Sequence, residues 1–152
     1  LELEPKVYFI IAGSGDMEGQ VLREAAALGI ADRVIFTGFV RGAELDALYQ
    51  SADLYVLPSV SEPFGITPLE SLVNGTPVII SYQSGVAEVL RHALKVDFWD
   101  TEELANQIIT VLRHPSLHQT LKQYGGEEVR KITWTAAAEK CLAVYHRLLC
   151  WG

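Results

Sequence analysis

Cysteine, methionine and positive charge are scarce in this sequence, and no long apolar run interrupts it. The two cysteines, Cys141 and Cys150, lie at i and i+9 in a helical pattern. They therefore project from opposite faces and cannot approach disulfide distance. Their expected state is reduced, which fits a cytoplasmic compartment. Lys and Arg number 12 against 19 Asp and Glu, a net charge of -7 with no basic cluster. That balance excludes nucleic-acid or anionic-membrane binding driven by bulk charge. No stretch reaches the roughly 18 consecutive apolar residues that span a bilayer. The opening LELEPKVYFIIAGSG has neither the basic flank nor the cleavage pattern of a signal peptide. Membrane association is not indicated by anything in the sequence.

Metal-ligand patterns are missing as well. There is no H-E-x-x-H, no paired Cys/His spacing and no D-x-D motif, and Pro115 disrupts the face that His114 and His118 would share. His92, His114, His118 and His146 are accordingly read as non-ligands, and no metal and no cofactor are expected.

What the chain does have is core material. Hydrophobic residues make up 49% and charged residues 20% of 152 residues, with a mean hydropathy of +0.19. At about 150 residues per domain this favours one compact domain or one lobe of a larger protein. Lys6 to Ala12 (KVYFIIA) has the length and β-branched character of a buried strand, broken by the turn Gly13-Ser14-Gly15. Asp16 can cap the helix that follows, with Val21, Leu22, Ala25 and Leu28 on its apolar side and Gly29 at its end. Strand and helix then alternate: Val34 to Thr37, Ala43 to Ser51 (Leu45, Leu48, Tyr49 and Ala52 inward), Leu54 to Leu57, Pro68 to Asn74, Pro77 to Ser81, a helix around Val86 to Arg91, and Leu94 to Val96. Strands apolar on both faces need helices on both sides. The expected fold class is α/β, a doubly wound, Rossmann-like parallel sheet.

A helical C-terminal tail follows. Asp100 and Glu103 read as a capping box ahead of the stripe Leu104, Ile108, Val111 and Leu112, and Pro115 ends that helix. A second helix runs to about Arg130. A third, capped by Thr133, places Trp134, Ala138, Cys141, Tyr145 and Leu148 on an apolar stripe that would pack along the sheet edge or cross to a partner lobe. Trp99, Trp134 and Trp151 are read as packing residues rather than sugar platforms.

In open α/β sheets ligands bind beyond the carboxyl ends of the strands, so the loop after Leu57, PSVSEPFGITPLESLVNGTPVII, is the first candidate site. Thr67, Pro68 and Glu70 read as N-cap, first-turn and N3 positions of a helix whose free amides would face Glu62 to Ile66, an arrangement suited to a phosphate. Residue chemistry alone leaves two readings open for the glutamates. Glu70 is either a capping-box partner of Thr67 or a ligand group, and Glu62 either a solvated loop carboxylate or a ligand group.

At this loop the sequence resembles the retaining GT-B glycosyltransferases of family 4, through Glu62, Pro63, Phe64, Gly65, Leu69 and Glu70 in the pattern E-P-F-G-x-x-x-L-E. Gly75-Thr76-Pro77-Val78-Ile79, GVAEVL, WDTEELA and Trp134 extend the resemblance along essentially the whole chain. The resemblance implies a nucleotide-sugar donor lobe of a hexosyltransferase with metal-independent chemistry. Glu62 would contact donor-sugar hydroxyls as the catalytic carboxylate. The backbone of Phe64, Gly65, Ile66 and Thr67 would contact sugar and diphosphate, and Glu70 would hold the ribose. Arg41, within Gly38-Phe39-Val40-Arg41, would stack on the base or remain a solvated loop residue. Gly13 and Gly15 would form the glycine turn near the nucleotide; GSGDME lacks the third glycine of a dinucleotide fingerprint, which disfavours a Rossmann dehydrogenase.

Where family members carry a glycine pair, this chain has Ser84-Gly85, which weakens a phosphate role for that turn and for Glu88 after it. The resemblance further implies that residues 1–152 lack the lobe's first strand and helix, with their diphosphate-clamping Arg and Lys, and the N-terminal lobe that binds the acceptor. On that expectation the chain alone is inactive. The alternatives are a non-catalytic nucleotide-sugar-binding or assembly module, and a GT-B nucleotide-sugar epimerase.

Overall fold

The computed structural model describes residues 6–149. The chain divides into two compact units, one ending at Leu48 and the other beginning at Tyr49. All strand pairs in both are parallel, as helix-connected strands require.

In the first unit, β1 (Phe9–Ala12) pairs with β2 (Val34–Gly38) across α1 (Glu18–Ala27) and a 3-10 turn at Ala31–Arg33. The register runs Phe9 to Val34 through Ile11 to Phe36 and then slips, so that Ala12 meets Gly38. The Gly13 amide closes the pair on the Gly38 carbonyl at 2.7 Å. Two expectations are corrected here. The strand begins at Phe9 rather than Lys6, and only Ile11 in it is even half-buried, because apolar composition marks a strand without supplying its cover. Asp16 caps nothing: the N-cap of α1 is Met17, without a side-chain bond, and Leu22 and Leu28 are exposed.

α2 (Ala43–Ser51) leads into the second unit. There β3 (Tyr55–Leu57), β4 (Val78–Ser81) and β5 (Leu94–Val96) form a sheet in the order β3-β4-β5, with α3 (Thr67–Val73) crossing from β3 to β4. The central strand carries the core. Val78, Ile79 and Ile80 are wholly buried, and burial of each such side chain contributes about 1.5–3 kcal/mol. Val78 and Ile80 share one buried cluster with Leu72 of α3, Val86, Leu90 and Val129. The segment expected as a helix around Val86 to Arg91 is a single 3-10 turn, Gly85–Glu88.

The tail comprises α4 (Thr101–Arg113), α5 (Pro115–Val129) and α6 (Trp134–Leu149). Asp100 caps α4 by accepting from the Glu103 amide at 2.9 Å, while the Glu103 carboxylate bonds Gln107 instead of returning to the cap. Thr133 caps α6 through the Ala136 amide at 3.1 Å. The expected burial of the α6 stripe is not found: no residue of α6 is buried, and Trp134 is 88% exposed. Helical spacing reveals an apolar face but not the surface that would cover it. Trp99 is also exposed and meets Phe98 edge-on at 4.9 Å. Cys141 is exposed, whereas Cys150 and Trp151 lie outside the described residues.

Glu128 of α5 ties down the turn before β5. One of its oxygens accepts from the Arg91 and His92 amides, both at 2.9 Å, and lies 3.1 Å from the His92 ring nitrogen. Burial pushes this carboxyl up, but the two amides and the ring outweigh it and hold it below the ordinary glutamate value. A lowered folded-state pKa gives stability that is present above the unfolded value and lost as pH falls through the folded one. The melting-temperature gap between the protein and Glu128→Gln should therefore be full at neutral pH and close on acidification below the ordinary value of 4.5. A gap that stays constant through that acid range would contradict the arrangement.

Candidate functional site

Strand β3 ends at Leu57, and the chain then runs through the loop 58–66 before α3 begins. Three hydrogen bonds fasten this loop to the segment 81–86 that follows β4. The fully buried Ser81 donates its hydroxyl to the Ser59 carbonyl at 2.6 Å. The Gly85 amide donates to Glu62 O at 2.9 Å and the Val86 amide to Phe64 O at 2.6 Å, with Glu62 and Ser84 forming a parallel bridge. The loop is thus an extension of the sheet, and Glu62 sits at a fixed place on it.

Two glycines make that close approach possible. A Cβ on Gly85 would stand 2.1 Å from the Pro63 carbonyl oxygen and 3.1 Å from Phe64 Cα, both backbone atoms of the loop. Gly65 has φ +92°, a conformation that side chains disfavour, and a Cβ there would press on the Glu62 and Leu57 side chains. The Ser84 hydroxyl turns inward to the Ser81 carbonyl at 2.7 Å and is buried. The Ser84-Gly85 turn therefore serves the loop. Sequence reasoning weighed it only for a phosphate and missed this role.

At the start of α3 the expected capping box is corrected. The N-cap is Ile66, without a side-chain bond, and its carbonyl accepts from both the Leu69 and Glu70 amides. Those donors are consequently not free to face the loop. Thr67 turns its hydroxyl oxygen to the Tyr55 hydroxyl, which donates at 2.8 Å, and the Glu70 carboxylate accepts from the Tyr49 hydroxyl at 3.3 Å. Of the two readings left open for Glu70, capping is removed: the side chain is half-buried and directed to a tyrosine.

Tyr49 and Tyr55 link these elements. Their rings meet edge-on, centroids 5.6 Å apart and planes at 73°. Burial above all raises the Tyr55 hydroxyl pKa, and the negative charges of Glu70 and Glu62 raise it further. Tyr55 is thereby held as a neutral donor, and both glutamates act on the same phenol. Among the described residues no ion pair engages either carboxylate. Two acceptor groups, one on the fixed loop and one on the helix it leads into, are chemically suited to hydroxyl-rich ligands, because an ionised carboxylate accepts at two oxygens and donates nothing.

The remaining sequence candidates lie in the first unit. Arg41 is exposed with its guanidinium 4.7 Å from the Phe39 ring centroid, so one face of its plane is already occupied. Gly13, at φ +118°, and Gly15 shape the turn between β1 and α1, where Gly15 O accepts from the Glu18 amide. Two of the four histidines, all in the second unit, have structural partners: His92 joins Glu128, and His118 bonds the Asp53 carbonyl at 2.8 Å. Among the described residues no group of three His, Cys, Asp or Glu is placed to hold a metal.

Comparison with known proteins places these features in a family. The family model described as "Glycosyl transferases group 1" matches residues 1–128. The chain is 32% identical to mannosylfructose-phosphate synthase of Agrobacterium fabrum over 94% of its own length and 34% of that protein. It is 33% identical to a phosphatidyl-myo-inositol mannosyltransferase of Mycobacterium leprae, over 95% of the chain and 39% of the relative. It thus spans about a third of the curated relatives it matches. Among solved structures, sucrose-phosphate synthase of Thermosynechococcus elongatus superposes with TM-score 0.76 at 29% identity, over 94% of this chain and 39% of the other. Anabaena HepE in complex with UDP-glucose gives TM-score 0.81 at 23% identity, over 95% and 42%, a likeness of fold.

The contact between Gly85 and Pro63 has a direct test. Gly85→Ala should destabilise the protein by about 1–3 kcal/mol, the usual cost of overpacking. Amide exchange at Val86 should accelerate as its bond to Phe64 is lost. Unchanged stability and exchange would mean that the loop accommodates a Cβ without moving.

Proposed function

Because the chain belongs to the glycosyl transferases group 1 family, we propose that it is the nucleotide-sugar donor-binding lobe of a longer GT-B enzyme of family 4. That enzyme transfers a hexosyl unit from a nucleoside-diphosphate sugar to an acceptor held by a second lobe, with retention of configuration. The observation that carries this reading is the Glu62 loop held across Gly85 and leading into α3, whose Glu70 carboxylate takes no part in the cap and is bonded to Tyr49. HepE, similar in fold, binds UDP-glucose, which supports the donor class.

The roles divide by chemistry. Glu62, on the loop fastened to 81–86, accepts from donor-sugar hydroxyls and stabilises charge at the reacting sugar as the diphosphate departs. Phe64, Gly65, Ile66 and Thr67 line the path of sugar and diphosphate, with the Thr67 amide as a donor. Glu70 accepts from the ribose hydroxyls. Arg41 lies against the base, and Gly13 and Gly15 allow the nucleotide close to the backbone. No metal or other cofactor takes part, and the enzyme works in the cytoplasm. Among the described residues no helix is long and apolar enough to cross a membrane.

Calorimetric titration of the full-length protein with UDP-, GDP- and ADP-sugars tests the donor class; no binding at millimolar ligand would refute it. NMR of the product's anomeric centre tests retention. Within this reading Glu62→Ala should lower turnover about 100-fold or more, the scale of a lost preorganised transition-state contact. Binding of the bare nucleoside diphosphate should hardly change. Glu70→Gln should instead cost nucleotide binding about 1 kcal/mol or more, since a neutral amide accepts hydroxyls less strongly than a carboxylate. The reverse pattern would exchange the two roles.

A further inference from the structure

Tyr49 is the buried residue of α2, 6% exposed, and it is held from three sides. Its carbonyl accepts from the buried Thr76 hydroxyl at 2.6 Å. Its ring meets Tyr55 edge-on, and its hydroxyl reaches Glu70 Oε2 at 3.3 Å. Packing alone would be served by phenylalanine; a buried phenol needs a partner, and the partner here is the carboxylate assigned to the ligand.

We propose that Tyr49 is a positioning residue for Glu70, orienting the carboxylate so that it receives the cis-diol of a ribonucleoside diphosphate at both oxygens. The inference rests on the reading of Glu70 as the ribose-binding group. Each carboxylate oxygen has two lone pairs, so Oε2 accepts from Tyr49 with one and from a ribose hydroxyl with the other, while Oε1 takes the second hydroxyl. A glutamate ordered before binding spares part of the side-chain entropy that the ligand would otherwise have to overcome. At 3.3 Å the bond is longer than the usual O–H···O distance, which leaves it room to shorten when ligand arrives. Tyr55 treats Thr67 in the same way, so each tyrosine of the pair directs one α3 side chain.

The test is a double-mutant cycle on the full-length protein, titrated with UDP, GDP and ADP and with their 2′,3′-dideoxy forms. Tyr49→Phe keeps the ring against Tyr55, and a melting curve confirms its fold. It should weaken binding of the ribonucleotide about fivefold, the scale of one ordinary hydrogen bond. It should leave the dideoxy form unaffected. Tyr49→Phe/Glu70→Gln should bind no more weakly than Glu70→Gln alone. If Glu70→Gln weakens binding while Tyr49→Phe does not, or if the two effects simply add, the positioning role is overturned and the ribose reading stands. An equal loss for ribo and dideoxy forms would reduce Tyr49 to packing. If Glu70→Gln itself changes nothing, the ribose reading fails and the inference fails with it.

Discussion

The candidate site depends on one close contact, the passage of the Glu62–Phe64 backbone over Gly85. A loop that leaves a parallel strand ordinarily owes its shape to its own turns. This one is held as a short strand extension, because the Gly85 and Val86 amides reach Glu62 and Phe64 and nothing larger than hydrogen fits between Gly85 and Pro63. The β3-β4 pairing thereby resumes past the end of the regular sheet, shifted by one residue between Leu57–Ile80 and Glu62–Ser84, and Ser81 secures its near end through Ser59. Move the loop and the Glu62 carboxylate moves with it.

The sheet supplies the rigidity that such a contact needs. β4 is buried along its length, flanked by β3 and β5, and its C-terminal residue Ser81 is the one that ties the loop. Leu72 anchors α3 in the same core, so the helix bearing Glu70 and the strand end facing Glu62 share one packed support. Catalytic geometries tolerate little displacement, and carboxylates mounted on elements of a common core keep their separation better than groups on free loops.

How much of this was legible in sequence follows from the range of each interaction. β4 and β5, α4 and its Asp100 cap are written locally, in β-branched runs and in cap residues three apart, and they occur where those patterns place them. The Thr67/Glu70 capping box is an equally local signature, and it fails because tyrosines from α2 and β3 compete for both side chains. Burial of Trp134 was unreadable, since a helical stripe does not name its partner. Gly85 carries its meaning only once the loop lies across it. The glutamate pair was singled out through family resemblance; residue chemistry alone favoured a cap for Glu70 and a solvated loop position for Glu62.

On the proposed reading, Glu62 and Glu70 face one bound nucleotide sugar. A crystal structure of the full-length protein with a hydrolysis-resistant nucleoside-diphosphate sugar measures this directly. Ribose hydroxyls are expected within hydrogen-bond distance of Glu70 and sugar hydroxyls within reach of Glu62, with Gly85 still bonded to the loop. A donor bound elsewhere, with both carboxylates open to solvent, would contradict it.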